Sequence, residues 1–455
     1  MSNKKNSSQI GLMLLFVLMV SGALFVYFSS MFERDKPQIV LQNNGYWNLK
    51  KPLKIEMSDE SGIISYRVKL IGDEKAIDLQ YEKLISAQKD ISLEVEPPRT
   101  AYSIKNENIQ IVIEAKDVSK WNFFKGNSVE HVVNLVIDKK RPQLSIVNNS
   151  YKISKGGSAL VIFKADDQNM QELYIEGNNE KKFIPQPFYK DGYYISLLAW
   201  PITDSNFKAT VVATDKAGNI AKAYVPLYLK NKEYKVSNIN LSDKFLKGKI
   251  ADLAEEFVQT QGVSAPLEQF KIINEDIRAK NEKLIHDLSS KIKNEKIDDF
   301  KINKMYPLKN AQVVAHFGDH RKYYYDGVYV SQSYHLGLDL ASNAMAAIKP
   351  QNGGEIIYSD YNGLYGNMPL ISHGLGLYTL YGHCSSVQVS VGDTTSKDQT
   401  VAKTGKSGYA MGDHLHFGVL VQGVEVRPQE WMDSQWIKLN IEDVIKTAKK
   451  AIDRK

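Results

Sequence analysis

The sequence predicts a mainly β chain behind a single N-terminal membrane-spanning helix. Three observations carry that prediction: an uncharged apolar run near the N-terminus, a stretch of short alternating segments that repeats itself, and a C-terminal block crowded with histidine. With 455 residues, 43% of them hydrophobic and 24% charged, the chain has globular composition and room for roughly three domains. A net charge of +6 with no polybasic block argues against nucleic acid as a partner. The single cysteine, Cys384, excludes an intramolecular disulfide framework and any zinc site built from several thiolates.

The apolar run is Ile10 to Phe28, nineteen residues without a charge. A helix of that length, at about 1.5 Å per residue, spans close to the ~30 Å hydrocarbon core of a bilayer. Lys4 and Lys5 precede the run, while Glu33, Arg34, Asp35 and Lys36 follow it with no net charge. By the positive-inside rule the N-terminus is cytoplasmic and the bulk of the chain lies across the cell inner membrane, in the periplasm. A cleavable signal would have a shorter apolar region ending in a small-x-small site. Here Ser21-Gly22-Ala23 lies within the run and Ser29-Ser30-Met31 beyond it is a poor cleavage site. Residues 1–35 are therefore read as a cytoplasmic stub and single-pass anchor, with the helix at 10–28.

Residues 36–140 and 141–231 are read as two β-sandwiches. Alternation is visible in Leu53-Lys54-Ile55-Glu56-Met57 and in Ile109-Gln110-Ile111-Val112-Ile113-Glu114. Asp35-Lys36-Pro37-Gln38-Ile39-Val40 is echoed by Lys140-Arg141-Pro142-Gln143-Leu144-Ser145. Each copy runs on to a similar ending, Ile113-Glu114-Ala115-Lys116-Asp117 and then Val212-Ala213-Thr214-Asp215-Lys216-Ala217-Gly218-Asn219. A tight hairpin needs left-handed backbone, which Gly and Asn tolerate. A repeat of about 105 residues suits two seven-strand sandwiches, and the second ending resembles bacterial immunoglobulin-like modules. No aromatic cluster or acidic site here asks for a ligand, so a spacer role is expected.

Residues 242–304 change character. Phe245, Ile250, Leu253, Ala254 and Phe257 recur at helical spacing, and a second helical stretch runs from Gln269 to Leu288. Pro266 between them is placed in a first helical turn. A helical hairpin capping the next domain is the expectation, and residues 432–455 are expected to form a helical tail.

Seven of the nine histidines fall between residues 316 and 416. Two motifs stand out, His335-Leu336-Gly337-Leu338-Asp339 and His414-Leu415-His416-Phe417. In a strand, positions two apart share a face, so His414 and His416 look into one cavity. Imidazoles and a carboxylate are donors that suit Zn²⁺, whose catalytic sites use three protein ligands and an open position. Tyr381-Gly382-His383 adds a further histidine after an alternating strand.

In that order the motifs resemble those of the M23 family of zinc endopeptidases, the lysostaphin and LytM type, over residues 305–431. The flanking Ile371-Ser372-His373-Gly374 and Lys403-Thr404-Gly405-Lys406-Ser407-Gly408 match as well. The resemblance implies a compact antiparallel β domain holding one Zn²⁺ through His335, Asp339 and His416. It implies His414 and His383 as the non-ligand catalytic histidines, with peptidoglycan stem peptides and cross-links as substrate. Wall or division proteins are the expected partners. Family members often carry a glutamate after His-x-His-Phe where Gly418 stands here. Relatives that have lost the site residues act as non-catalytic activators, so a scaffold or activator of another wall hydrolase is the alternative. His373 is read as structural, His316 and His320 as lining the approach, Tyr323-Tyr324-Tyr325 and Tyr334 as candidate groove walls, and Cys384 as a small buried hydrophobe.

Overall fold

The computed structural model describes residues 3–72, 75–101 and 104–454. The side chains of residues 3–8, with Lys4 and Lys5, lie outside that description. Strand accounts for 42% and helix for 22%, so the chain is mainly β. It divides into two compact units, Met1–Pro142 with Asp167–Gln171 and Thr214–Ile220, and the remainder.

The first unit opens with the helix Asn3–Phe28. Within it Gln9–Phe28 has a mean hydropathy of 2.5 and buries nothing against protein, so it is long and apolar enough to cross a membrane. Behind it the strands between residues 38 and 137 join in one six-stranded sheet. The strand Leu53–Gly72 bends at Gly62, where φ is +96°. Its first half pairs with Gln38–Gln42, its second half with Asn108–Asp117, and both halves with Lys75–Val95. Alternate residues Leu53, Ile55 and Met57, then Val68 and Leu70, enter one core with Ile109, Ile111 and Ile113. The period of two places them on one face, and the bend lets one sheet surround that core.

In the next repeat there are two four-stranded sheets. One orders Gln186–Pro187, Tyr193–Ala199, Ser158–Asp166 and Gln143–Asn149; the other orders Lys182–Phe183, Met170–Glu176, Thr210–Asp215 and Ile220–Tyr224. The turn expected after Asp215 forms, with Gly218 at φ +80°. Asn219 locks it: its backbone N and Nδ2 both donate to the buried Asp215 carboxylate at 2.8 Å. Nδ2 also donates to the carbonyl of Asp138 at 2.8 Å. The first repeat has the same clasp, Asn127 donating to Asp117 at 2.7 and 2.8 Å and to the carbonyl of Glu33 at 3.1 Å. Each clasp gathers three carboxylates, Glu33, Asp59 and Asp117 in one and Asp138, Asp167 and Asp215 in the other. The sequence does not bring these acids together by eye, because Asn127 lies ten residues beyond Asp117.

The rest of the second unit positions the site. Helices Pro266–Ile272 and Arg278–Ser289 form the expected hairpin with Ala251–Glu256, and Pro266 stands in the first turn. Helix stops at Ser289; the lysine-rich stretch beyond it is not helical and buries Phe300 and Ile302. Val236–Asn240 runs parallel to His320–Tyr325, which pairs with Val328–Tyr334. An eight-stranded antiparallel sheet follows, ordered Gln312–Ala315, Leu338–Ala341, Leu415–Val421, Leu377–Gly382, Asn367–Ser372, Gly354–Tyr361 and Thr394–Thr395, with Val424–Val426 paired to Leu415–Val421. Leu370, Leu380 and Leu420 bury one face of this sheet against Ile250, Leu253, Phe270, Ile273 and Ile277 of the helices. The tail is helical at Ser434–Ile437 and Asp443–Asp453.

Replacing Asp215 by alanine leaves the buried Asn219 donors without their acceptor, a loss of roughly 1–3 kcal/mol. Urea unfolding followed by tryptophan fluorescence is expected to show an earlier transition; an unchanged midpoint would remove the clasp as a stabilising feature.

Candidate metal centre

Strand register decides which side chains meet. Asp339 lies directly opposite His416, so both project from the same face. On its other side His416 faces Gly382. His335 follows the strand Val328–Tyr334 and turns back toward them, its backbone N donating to the carbonyl of Asp319 at 3.0 Å. Glycine makes the room. A Cβ at Gly337 would sit 2.4 Å from His416 Nε2.

Three donors converge. His335 Nε2 lies 2.9 Å from Asp339 Oδ1 and 3.1 Å from His416 Nδ1, and His416 Nδ1 lies 2.9 Å from the same carboxylate oxygen. His335 Nδ1 is 2.9 Å from the carbonyl oxygen of His316, to which it can only donate. In the neutral ring this leaves a lone pair on Nε2, facing a carboxylate oxygen and a second imidazole nitrogen. With His416 as its Nε2–H tautomer, a cation between them would take up all three lone pairs. Tetrahedral bonds of about 2.0–2.1 Å put neighbouring ligand atoms about 3.3 Å apart, close to the separations here. The donor set therefore fits a divalent metal of the zinc type.

Two further imidazoles stand beside the three. His414 Nδ1 is bound to the carbonyl of Gly412 at 2.8 Å, and its Nε2 lies 3.7 Å from Asp339 Oδ2. His383 Nδ1 is bound to the carbonyl of Ser407 at 2.9 Å. Its ring is 4.8 Å from that of His414. Both rings thus keep Nε2 toward the cavity. His383 sits at φ +64°, backbone strain that turns the strand end back on the site.

Electrostatics favours neutral imidazoles at His416 and His383 and an ionised Asp339 carboxylate. Burial works to raise the Asp339 carboxyl, but the His335 and His416 imidazoles outweigh it and hold it well below the usual range. Burial pushes His416 down, and the Asp339 carboxylate only partly offsets that. Burial, reinforced by His416 and His414, takes His383 down to about 3.

A cavity of about 450 Å³ opens over these groups, lined by all five predicted residues. Residues 333–428 match Peptidase family M23. This part of the chain is an M23 peptidase domain. Among curated relatives, the murein hydrolase activator EnvC of Escherichia coli is 32% identical over 96 residues, 21% of this chain and 23% of EnvC. The peptidoglycan DD-endopeptidase ShyB of Vibrio cholerae is 31% identical over 119 residues, 26% of this chain and 27% of ShyB. Each match thus spans about a quarter of the relative. Among solved structures, the catalytic domain of the antimicrobial peptidase lysostaphin from Staphylococcus simulans aligns at 25% identity and a TM-score of 0.24, covering 28% of this chain and 94% of that one.

The remaining sequence expectations sort cleanly around the M23 domain. His373 is held at both ring nitrogens, by the carbonyl of Gly353 at 2.9 Å and by Thr379 at 2.7 Å, a structural role. The His316 ring lies outside the metal cavity, lining a neighbouring one, while its carbonyl fixes His335. His320 stacks on Tyr334 at 4.4 Å. Of the tyrosines, Tyr334 lines the cavity, whereas Tyr323 is buried against Phe270. Cys384 is buried with its thiol pushed up to about 12, which leaves it inert. Gly418 is explained locally: a Cβ there would press on Leu380 at 3.2 Å. Sequence reasoning missed Tyr365, whose ring meets His416 edge-on at 5.3 Å, and Tyr409, Arg278 and Arg321 in the cavity wall. Only Tyr365 and Tyr409 carry a sequence signal, lying beside glycines in the motif-bearing segments.

Gly337→Ala is expected to weaken binding of Zn²⁺, used as probe, by roughly 10- to 100-fold in a chelator competition titration, because it displaces His416. Unchanged affinity would mean that His416 does not bind the ion. A second outcome concerns pH. Burial lowers His373 from 6.5 to about 4, so folding favours its neutral form. That stability is complete above pH 6.5 and is lost as pH falls toward 4. Thermal unfolding between these limits is expected to become less pH-dependent in His373→Gln; an unchanged slope would contradict it.

Proposed function

We propose that this protein is a membrane-anchored, extracytoplasmic zinc endopeptidase that hydrolyses the peptide cross-links of peptidoglycan. The observation that carries this reading is the complete set of His335, Asp339, His416, His383 and His414 around one cavity in an M23 domain. The apolar helix Gln9–Phe28 supports an anchor in the inner membrane with the peptidase domain in the periplasm. The endopeptidase name of the ShyB relative supports the substrate class.

His335, Asp339 and His416 would hold the ion. A bound Zn²⁺ supplies a Lewis acid for the scissile carbonyl and a water acidified to a pKa of about 7. His414, with Nδ1 tied to a carbonyl, keeps Nε2 free to take the proton of the attacking water. His383 stands across from it; the proton taken up by His414, passed to His383 Nε2, would let that ring donate to the oxyanion or to the leaving amine. Tyr365 excludes water from the edge of His416.

The EnvC relative, named as an activator, motivates a second reading in which the groove binds another wall hydrolase. The two separate on the full-length protein in detergent with Zn²⁺ and cross-linked muropeptides, followed by mass spectrometry. Asp339→Ala and His414→Ala are each expected to slow cleavage at least about 100-fold. Muropeptides left intact by the wild type and by His414→Ala alike would sink the enzyme reading and leave the activator.

A further inference from the structure

Two guanidinium groups stand in the wall of the metal cavity, and both lie outside the family-matched residues 333–428. Arg278 begins the helix Arg278–Ser289, and Arg321 lies on the strand His320–Tyr325. Arg278 is pre-set: Nε and Nη2 donate to the carbonyl and side-chain oxygens of Asn274 at 3.2 and 3.1 Å, with the Tyr409 ring 5.9 Å away. Its Nη1 is 3.8 Å from Glu282, beyond hydrogen-bond range. Burial pushes the Glu282 carboxyl up to about 7, so it is an incomplete counter-charge at neutral pH. Arg321 spends Nε on Asp319 at 3.4 Å, and among the described residues no acceptor meets its two terminal nitrogens.

The cavity has no spare anion of its own. Its lining carboxylates are Asp339 and Asp413. Asp339 is one of the three candidate metal ligands, and Asp413 accepts from Thr404 Oγ1 at 2.6 Å and the backbone N of Met345 at 3.1 Å. Arg321 also borders the neighbouring cavity of about 640 Å³, which shares Val314 and Ala315 with the first. An extended peptide leaving the metal would therefore pass it. A guanidinium fork matches a carboxylate, and in a cleft poor in counter-charge that match is strengthened.

We propose that Arg278 and Arg321 form a carboxylate-binding subsite that selects a free carboxylate of the stem peptide next to the bond being cut. The inference rests on the hydrolase reading above. The carboxylate has two sources in a cross-linked stem peptide, the terminal D-alanine and the side chain of the diamino acid.

The test uses full-length, zinc-loaded protein in detergent and three cross-linked muropeptides: both carboxylates free, the terminal one amidated, or the diamino acid side chain amidated. One amide is expected to be cut with kcat/KM roughly 10- to 100-fold below the free acid, which names the source. Arg278→Gln and Arg321→Gln are expected to shrink that ratio toward one, with Zn²⁺ content unchanged. Equal cleavage of all three peptides by the wild type overturns the subsite and leaves the hydrolase reading intact; a full ratio retained in both variants also overturns it. Cleavage of none is the separate failure of the hydrolase reading. Calorimetric binding of a free-acid against an amidated tetrapeptide then decides: preference for the acid, lost in the variants, supports the subsite, and equal affinity overturns it.

Discussion

Two imidazole nitrogens and one carboxylate oxygen lie 2.9–3.1 Å from one another, and this is the constraint on which the C-terminal domain depends. With His335 Nδ1 committed to the carbonyl of His316, the lone pair on Nε2 can meet a proton only from His416 Nδ1, and that proton is contested by the Asp339 carboxylate oxygen. Such an arrangement is costly in a buried setting unless a cation is bound or the rings take up protons. A cation bound here would therefore be linked to folding, since its ligands must be deprotonated to hold it. The surrounding architecture keeps three unlike segments in register.

The sheet does so through pairing. Asp339 opposite His416 and Gly382 on the far side of His416 fix the metal face of the central strand. Further along that face, Gly418 and Leu420 sit where no polar group is wanted, and the helical hairpin covers them through Leu253, Phe270 and Ile273. One face is thus divided between a polar end that binds and an apolar remainder that is buried. The hairpin is more than a cap, since the arginine at the start of its last helix reaches the boundary between the two and becomes part of the cavity wall.

How much was legible follows from distance along the chain. The apolar helix and the alternating strands depend on spacing within a few residues, so the sequence exposes them, whereas the five candidate site residues are legible through the resemblance of their motifs to the M23 family. The repeat was visible through its Pro-Gln openings, yet its clasp was not. Asn219 is four residues from Asp215 and reads as a turn, whereas Asn127 reaches Asp117 across a separation of ten. The second helical stretch, read to Leu288 from its apolar spacing, ends at Ser289. Arg278, Arg321 and the carbonyl of His316 come to the site through tertiary packing alone. A backbone oxygen leaves no mark in a sequence, and an arginine on a helix reads as solvated surface.

That division also separates chemistry from selectivity. The residues that would bind metal and move protons all lie within 333–428, the part shared with other M23 domains. The two arginines lie on segments preceding it, one on the helical hairpin and one on a strand extended by Val236–Asn240. A conserved reaction needs fixed ligands, but a substrate can be chosen by whatever borders the cavity. Arg278 is braced by Asn274, which is itself buried and donates to Ser331 at 2.9 Å, so the wall position is set by a polar tie between helix and strand. Because that tie is made outside the metal-binding strands, the wall can change without disturbing the register that the ligands require.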